Sequence, residues 1–488
     1  MDEGTRLWFE AIQNFEDDPV KIEWTTAEYF QSWKLMSEDK SSLPGIQAAH
    51  IKSVDPTSKA ADVISQMALI PLMTGYAPIN WKRGIDSMIP KKKDEWRPAK
   101  LRLILLMDAR FNHNNKLIGK KMMEHGERSG FLAKEQFGSR KSKSAIEHAL
   151  NKRLTIDIAR QSKTPAVYIA NDAKSCYDRI LLMVAYLTMR HLGIQDVASK
   201  SSIDTLVNMT RKVKTVYGVS EGTYATDMLH DEILHGIGQG NGYGPTIWAG
   251  ISSPLLKILR KRNVGVNIAS PITKEELKMA GYSFVDDTDL IELNSEETIW
   301  ENVMANAQEG LNLWECLLRT TGGAIEPTKT DWVKIMYEWK HGVASLQATC
   351  QHDKLWAKDP EGRARQIKQI EPDCARRTLG VWQAANGQEE TQKEVIISKI
   401  KEWGANTAGI SKKETATASV TTLGRSIRYP LAATALNTEQ CRTIDKHLKK
   451  QVLGKRGVVR TAPDIVAFSP KKSGGIGLHS TEVDQTID

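Results

Sequence analysis

Two adjacent carboxylates, Asp286 and Asp287, stand where chemistry can be done. Before them Tyr282 and Phe284 alternate with Ser283 and Val285, and after them the chain is apolar again at Leu290, Ile291 and Leu293. That pattern predicts two short β-strands over residues 281–293 with the acids at the turn between them. Neighbouring carboxylates repel, and a divalent cation among other oxygen ligands relieves the repulsion. A polar hairpin tip facing water accounts for the same residues, so the rest of the chain must decide.

A second acid, Asp172, ends the buried-looking strand predicted over residues 165–172, followed by Ala173-Lys174-Ser175-Cys176-Tyr177-Asp178 and a helical run over 181–192. If the strands share a sheet, Asp172 brings a second carboxylate locus to the hairpin, as a two-metal centre requires. Between the two lies His235-Gly236-Ile237-Gly238-Gln239-Gly240-Asn241-Gly242-Tyr243-Gly244-Pro245, leading into an apolar helix over 246–259. So many glycines imply close approach of backbone to a neighbour, with the helix N-terminus favouring an anion or a flat base. The spacing matches neither a P-loop nor a dinucleotide fingerprint. Upstream, Lys91 precedes Leu101-Arg102-Leu103-Ile104-Leu105-Leu106, a predicted strand with one projecting arginine. Lysine and arginine on extended backbone suit phosphate binding, and equally suit a solvated basic edge.

The composition sets bounds. With 488 residues, 40% hydrophobic and 26% charged, the chain reads as globular, with two or three domains or subdomains. Cys176, Cys316, Cys350, Cys374 and Cys441 are scattered without C-x-x-C spacing, and the histidines form no H-x-x-x-H pattern. Neither a disulfide framework nor a zinc cluster is expected, and carboxylate-based metal chemistry favours Mg²⁺ or Mn²⁺. No stretch is apolar enough to span a bilayer, and the N-terminus carries Asp2, Glu3, Glu10, Glu16, Asp17 and Asp18 rather than a signal or transit pattern. The expectation is an intracellular protein, nuclear or cytoplasmic, without a membrane partner. The net charge of +8 is concentrated in two runs. One comprises Lys91, Lys92, Lys93, Arg97, Lys100, Arg102, Arg110, Lys116, Lys120 and Lys121; the other comprises Arg442, Lys446, Lys449, Lys450, Lys455, Arg456 and Arg460. Two such runs point to a nucleic-acid partner.

The remaining elements frame these residues. Residues 1–85 read as a helical N-terminal extension that caps the adjoining domain. Helices are predicted over 111–123 and 144–158, with Glu135-Gln136-Phe137-Gly138-Ser139-Arg140-Lys141 as a basic loop between them. Asn294 with Glu297 resembles a capping box opening a helix through Val303, Ala307, Leu311, Trp314, Leu317 and Leu318, which Gly322-Gly323 ends. A strand is predicted over 332–337, residues 346–374 read as loop or linker, and residues 375–488 as mostly helical.

The order of these parts resembles the palm of a reverse transcriptase, especially retroelement enzymes of the non-LTR, LINE-like kind, from about Trp81-Lys82 to Gly380. Ile89-Pro90-Lys91 and Arg102-x-Ile104 are similar to the family's first finger motifs, and Gln136-Phe137-Gly138-Ser139-Arg140 to its Gln-Phe-Gly-x-Arg block. Asp172 to Asp178 resembles motif A, Gln239-Gly240 with Pro245 motif B, and Phe284-Val285-Asp286-Asp287 motif C. Gly322 to Lys329 resembles motif D and Leu379-Gly380 motif E. The implied fold is α+β, a right-hand polymerase with fingers and an antiparallel palm sheet backed by helices over 86–345 and a mostly helical thumb over 375–488. The resemblance implies that Asp172, Asp286 and Asp287 hold two Mg²⁺ ions, for which Mn²⁺ can substitute. It makes Lys91 and Arg102 the grips on an incoming dNTP and Lys329 the candidate acid for pyrophosphate. Tyr177 would exclude a 2′-hydroxyl, and Gln239 and Gly240 would pack under template and nucleotide. The implied partners are an RNA template, a DNA primer and their RNA–DNA hybrid, gripped through phosphates.

There are departures. Arg102-Leu103-Ile104 stands where the family commonly has Arg-Pro-Ile, and motif B is unusually rich in glycine. No N-terminal endonuclease, cysteine-rich C-terminal module or RNase H domain is identified, which leads to the expectation of a fragment of a decayed element or a polymerase without its own nicking activity. The alternatives are a catalytically silent nucleic-acid-binding remnant and an RNA-directed RNA polymerase. Asp178 suggests the latter and Tyr177 argues against it.

Overall fold

The computed structural model describes residues 2–12, 19–38, 42–92, 94–174, 176–227, 229, 233–350 and 352–487. Glu16, Asp17 and Asp18 of the acidic N-terminus, Lys93 of the first basic run and Ser175 after Asp172 lie outside them. The first ten strands are β1 (Arg83–Pro90), β2 (Leu101–Met107), β3 (Ala166–Asp172), β4 (Thr210–Thr215), β5 (Gly218–Val219), β6 (Val266–Ala269), β7 (Glu276–Met279), β8 (Gly281–Phe284), β9 (Asp287–Asn294) and β10 (Asp331–Ile335). They form two sheets. In the central one β10, β3 and β9 run side by side, β3 antiparallel to both neighbours, with β8 folded back on β9 as predicted. Val167, Tyr168 and Ile169 of β3 are buried on both faces, as expected of a strand written as one apolar run. The smaller sheet has the order β2-β1-β4-β5.

Helices cover the central sheet. The N-terminal region folds as α1 (Glu3–Ala11), α2 (Thr26–Lys34), α3 (Ala48–Lys52) and α4 (Lys59–Thr74). Thr25 caps α2 in a capping box with Glu28. Trp8 of α1 enters the main core, while Tyr29, Phe30 and Trp33 of α2 build a smaller one. Next in the chain are α5 (Ala109–Arg128), α6 (Ala145–Ser162), α7 (Cys176–Arg179), α8 (Leu182–His191), α9 (Asp196–Val207), α10 (Gly244–Lys261) and α11 (Trp300–Thr320). Every residue of α10 from Thr246 to Leu256 is buried, so it is apolar all round and runs through the centre of the molecule.

Three expectations change. α11 starts at Trp300 and lacks a side-chain cap. Asn294 instead accepts the Glu296 N–H at 3.1 Å and turns the chain out of β9, while Glu297 accepts the Ile299 N–H at 2.9 Å. Residues 135–137 are no basic loop. Glu135, Gln136 and Phe137 are buried, and backbone bonds to Ser283 lay this stretch along β8. Residues 346–374 are not simply loop either. After the hairpin of β11 (Tyr337–Lys340) and β12 (Val343–Leu346) come β13 (Trp356–Lys358), β14 (Ala364–Gln366) and β15 (Lys368–Ile370), and β15 joins β10 in parallel at the edge of the central sheet. These strands are only three residues long and mostly polar, so they leave no period to read.

The hairpin of β16 (Arg376–Thr378) and β17 (Val381–Gln383) leads into a helical unit containing α12 (Glu390–Asn406), α13 (Lys412–Ala418), α14 (Arg425–Leu431) and α15 (Thr438–Val452). It has its own core, with Ile396 and Ile400 of α12 against Ile444 and Leu448 of α15. Arg153 of α6 ties this unit to the body through Glu389, at 2.5 Å, with both side chains buried. Removing one partner of such a pair strands the other charge. Arg153→Met is therefore expected to cost about 3 kcal/mol in urea unfolding at pH 7. The cost should shrink as the pH falls, because Glu389, already pushed up by burial, takes a proton more readily once the guanidinium is gone.

Candidate functional site

The site is built on one strained turn. Val285 joins β8 to the acids with φ of +58°, a left-handed conformation that a β-branched residue avoids. Its surroundings impose it. Gln136 Oε1 accepts the Val285 N–H at 3.0 Å, and Gln136 Nε2 and Trp248 Nε1 donate to the Val285 carbonyl at 3.3 and 2.5 Å. Gln136 also donates to Ser252 and Ser283, at 2.8 and 3.1 Å. Both polar groups of the turn's backbone are thus held by side chains from two other elements.

This turn projects Asp286, and the antiparallel register of β9 and β3 places Asp287 directly opposite Asp172. The three predicted acids therefore meet at one sheet end. The loop bearing Lys329 is stitched to the same end: Lys174 N–H donates to Ala324 O and Glu326 N–H to Asp172 O, at 2.9 and 3.0 Å. Lys329 Nζ lies 3.4 Å from Asp172 Oδ1. Two residues beyond Asp287, Asp289 points into the core, where His148 Nε2 and Lys152 Nζ meet it at 2.8 and 2.6 Å.

The electrostatics separate these acids. Burial, then Asp172, raises Asp286 above the ordinary carboxylate range, although Cys176 and Arg102 pull the other way. Asp287, exposed by surface area but crowded by other acids, is raised to about 6, first by desolvation and then by Asp286, Asp289 and Asp172. Burial would raise Asp289 too, but Lys152 and His148 hold it at about 2. Asp286 and Asp287 thus carry repulsion that the protein compensates only in part, while Asp289 is neutralised from within.

The glycine-rich loop serves this centre by packing on the protein itself. Gly236 has φ of +89°, and a Cβ there would sit 2.7 Å from the Asp178 backbone. Gly238 has φ of +78° with Leu105 at 2.4 Å. Gln239 O accepts the Leu105 N–H at 2.9 Å and its own N–H meets the Asp178 carboxylate, so β2, the loop and the segment after Asp172 are locked together. Gly240 O accepts from Asn112 Nδ2 at 3.1 Å. Tyr177 lies under the start of α10, its ring 3.4 Å from where a Cβ on Gly244 would stand. Lys91 and Arg102 are exposed at the loop end of the β1–β2 hairpin, where Arg102 faces Ile89. Arg102 lies within the field of Asp286 and Lys91 within that of Asp178.

The basic runs divide in the same way. Arg97 and Arg110 are spent on Glu95 and Asp108, at 2.7 and 3.1 Å, and Lys449 on Asp464 at 2.5 Å. Lys455 is turned inward to Gly404 and Thr407, whereas Arg442, Lys446 and Lys450 face solvent along α15. Among the described residues no three His, Cys, Asp or Glu side chains converge into a finished metal cage. Mg²⁺, however, is commonly held by one or two carboxylates and substrate phosphates, and all-oxygen donors carrying unrelieved repulsion fit such an ion. No helix among the described residues is long and apolar enough to cross a membrane.

Sequence reasoning names the three acids, Lys329, Lys91, Arg102, Tyr177, Gln239 and Gly240. It assigns no role to Gln136, although the block containing it is visible, nor to Trp248, His148, Lys152 or Asp289. Trp248 is hidden in an apolar helix, and the other three acquire partners only through the fold.

The family profile described as reverse transcriptase (RNA-dependent DNA polymerase) matches residues 89–354, more than half of the chain. The match includes every candidate site residue from Lys91 to Lys329 and stops before Leu379-Gly380. A comparison with curated proteins finds no match.

This geometry leads to two measurements. Gln136→Met removes the bonds to Val285 and leaves a buried N–H unpaired, so it should cost about 2 kcal/mol in denaturant unfolding and weaken Mn²⁺ binding. Asp287 titrates higher in the folded chain than its ordinary 3.8, so the cost of its charge is full above about pH 6, shrinks as the pH falls through that value and is gone below about 3.8. Mn²⁺ should therefore raise Tm at pH 7.5 and barely at pH 5, and Asp287→Asn should raise the metal-free Tm at pH 7.5 while shrinking the Mn²⁺ shift, as read by scanning fluorimetry.

Proposed function

The chain belongs to the reverse transcriptase (RNA-dependent DNA polymerase) family, and on that premise we propose that it extends a primer 3′-hydroxyl with dNTPs on an RNA template by a two-metal mechanism. The observation that carries this reading is the pairing of Asp172 with Asp287 across two strands, with Asp286 on the adjoining turn. In it Asp172 and Asp286, completed by Asp287, hold two Mg²⁺ ions. Bound there, the ions would lower the pKa of the attacking hydroxyl and neutralise charge on the triphosphate.

The chain's own residues do the rest. Lys91 and Arg102, at the loop end of the β1–β2 hairpin, grip the triphosphate, Arg102 through paired hydrogen bonds and Lys91 as a point charge. Lys329, beside Asp172, donates a proton to departing pyrophosphate. Tyr177, braced by the backbone at Ile237, meets the sugar and excludes a 2′-hydroxyl by steric contact. Gln239 and Gly240, pinned to Leu105 and Asn112, form the floor under the base pair. In this reading residues 86–345 are fingers and palm, and residues 375–488 are a thumb whose exposed Arg442, Lys446 and Lys450 follow the hybrid's phosphates. The origin is a non-LTR retroelement, on the strength of the motif order. Asp178, the acid that suggested a ribonucleotide polymerase, accepts the Gln239 N–H and lies in the field of Arg211, which supports the deoxynucleotide reading.

Primer extension on a primed RNA, with dNTPs or NTPs and Mg²⁺ or Mn²⁺, tests this. DNA synthesis is expected, lost by at least about 10³-fold in Asp286→Asn with nucleic-acid binding retained. Tyr177→Val should admit ribonucleotides. Synthesis by Asp286→Asn at the wild-type rate would refute the mechanism, and binding without synthesis by the wild type would favour a silent remnant.

A further inference from the structure

The buried cation Lys152 has no part in nucleotidyl transfer itself, yet it touches two elements that a polymerase must keep in register. Its Nζ lies 2.6 Å from Asp289 on β9, two residues from Asp287, and 3.0 Å from Thr378 Oγ1 on β16. β16 and β17 lead directly into the C-terminal helical unit. The same face of α6 makes two more bonds to that side of the molecule: Gln383 Nε2 donates to Ala149 O at 2.8 Å, and Arg153 binds Glu389. Lys152 is the member of this set that also holds the acid-bearing strand.

His148 completes the arrangement on the far oxygen of Asp289. Beside Lys152 a cavity of about 30 Å³, lined by Lys152, Tyr168, Asp331 and Arg376, has room for a single water, and the Tyr168 hydroxyl facing this region has no hydrogen-bond partner among the described residues. Arg376 of β16 in turn pairs with Asp331 of β10. The hairpin before the helical unit is thus tied to the central sheet twice, through Lys152 to Asp289 on β9 and by the partly exposed ion pair of Arg376 with Asp331 on β10. The buried Lys152–Asp289 pair is a poor stabiliser, because desolvation offsets most of its attraction, but it defines one register where apolar packing would accept several.

We infer that Lys152 is a positioning residue for the reaction: by bonding Asp289 and Thr378 together it fixes the acid pair relative to the helical unit that grips nucleic acid. The inference rests on the polymerase reading. Nucleic acid held by the C-terminal unit is delivered to Asp286 and Asp287 in one alignment, and loosening the tie misaligns the reacting atoms without removing any group that touches them.

The test uses the full chain on a primed RNA template with dNTPs and Mg²⁺. Lys152→Met strands Asp289 and endangers folding, so Thr378→Val, which deletes only the hydroxyl, is the primary variant. We expect kcat to fall about tenfold, as for a sub-ångström misplacement, with KM for dNTP and Kd for primer–template each within about twofold and a Tm lowered by the unpaired Lys152 N–H but well above the assay temperature. Thr378→Ser should restore the rate. Lys152→Met, if folded, should lose at least as much, and adding Thr378→Val to it should cost nothing further, because both remove one contact. A Thr378→Val enzyme turning over at the wild-type rate overturns the inference alone, as does a loss that Thr378→Ser fails to restore. A wild-type chain that makes no DNA overturns the polymerase reading, and this inference with it.

Discussion

The structure depends on a backbone residue held where it would not choose to be. Val285 occupies left-handed space because Gln136 holds its N–H and carbonyl and Trp248 donates to the same carbonyl. Such strain costs on the order of 1–3 kcal/mol, and surroundings this specific are what sustain it. The return is placement. With the turn fixed, the register of β8 on β9 is fixed, and with it the side on which Asp286 and Asp287 emerge. A one-residue slip would turn Asp287 and Asp289 alike, two residues apart and so on one face of β9, to the other face of the sheet, away from Asp172 and from His148 and Lys152.

The contrast between neighbouring carboxylates is the second constraint. Asp289, enclosed by His148 and Lys152, is a structural anion. Asp286 and Asp287 are crowded and only partly desolvated, with Lys329 and Arg102 at their margin rather than between them. Folding leaves them repelling one another, a cost that a divalent ion and a triphosphate can remove. The glycine loop contributes differently, letting the chain pass close enough to Leu105 and Asp178 to join the basic hairpin to the acid-bearing sheet.

Much of this is legible in the sequence. The hairpin around Asp286, the strand ending at Asp172 and the apolar helix after Pro245 each have a clear period or an apolar run with a breaker. The illegible parts depend on pairing across long separations. Arg211 and Asp86 are both buried because they face one another at 3.8 Å, so β4, written Thr-Arg-Lys-Val-Lys-Thr, carries no apolar signature and residues 193–234 give no elements in advance. The loop expected over 346–374 fails for the same reason, since β15 becomes a strand only by lying beside β10. Gln136 is visible as part of a block, but its role lies in what it grips 149 residues away. The glycine loop does mark a close approach, and the neighbour is the protein's own backbone and Leu105.

The central claim is that Asp172, Asp286 and Asp287 form one cation centre. Its most direct test is local oxidative cleavage. The chain, bound to primed RNA template and a non-hydrolysable dNTP, is loaded with Fe²⁺ in place of Mg²⁺ and treated with ascorbate, so that radicals generated at the ion cut nearby backbone. The account predicts cuts clustered beside Asp172 and beside residues 285–287, suppressed by excess Mg²⁺ and lost in Asp286→Asn. Cleavage confined to other parts of the chain, or unaffected by Mg²⁺, would contradict it.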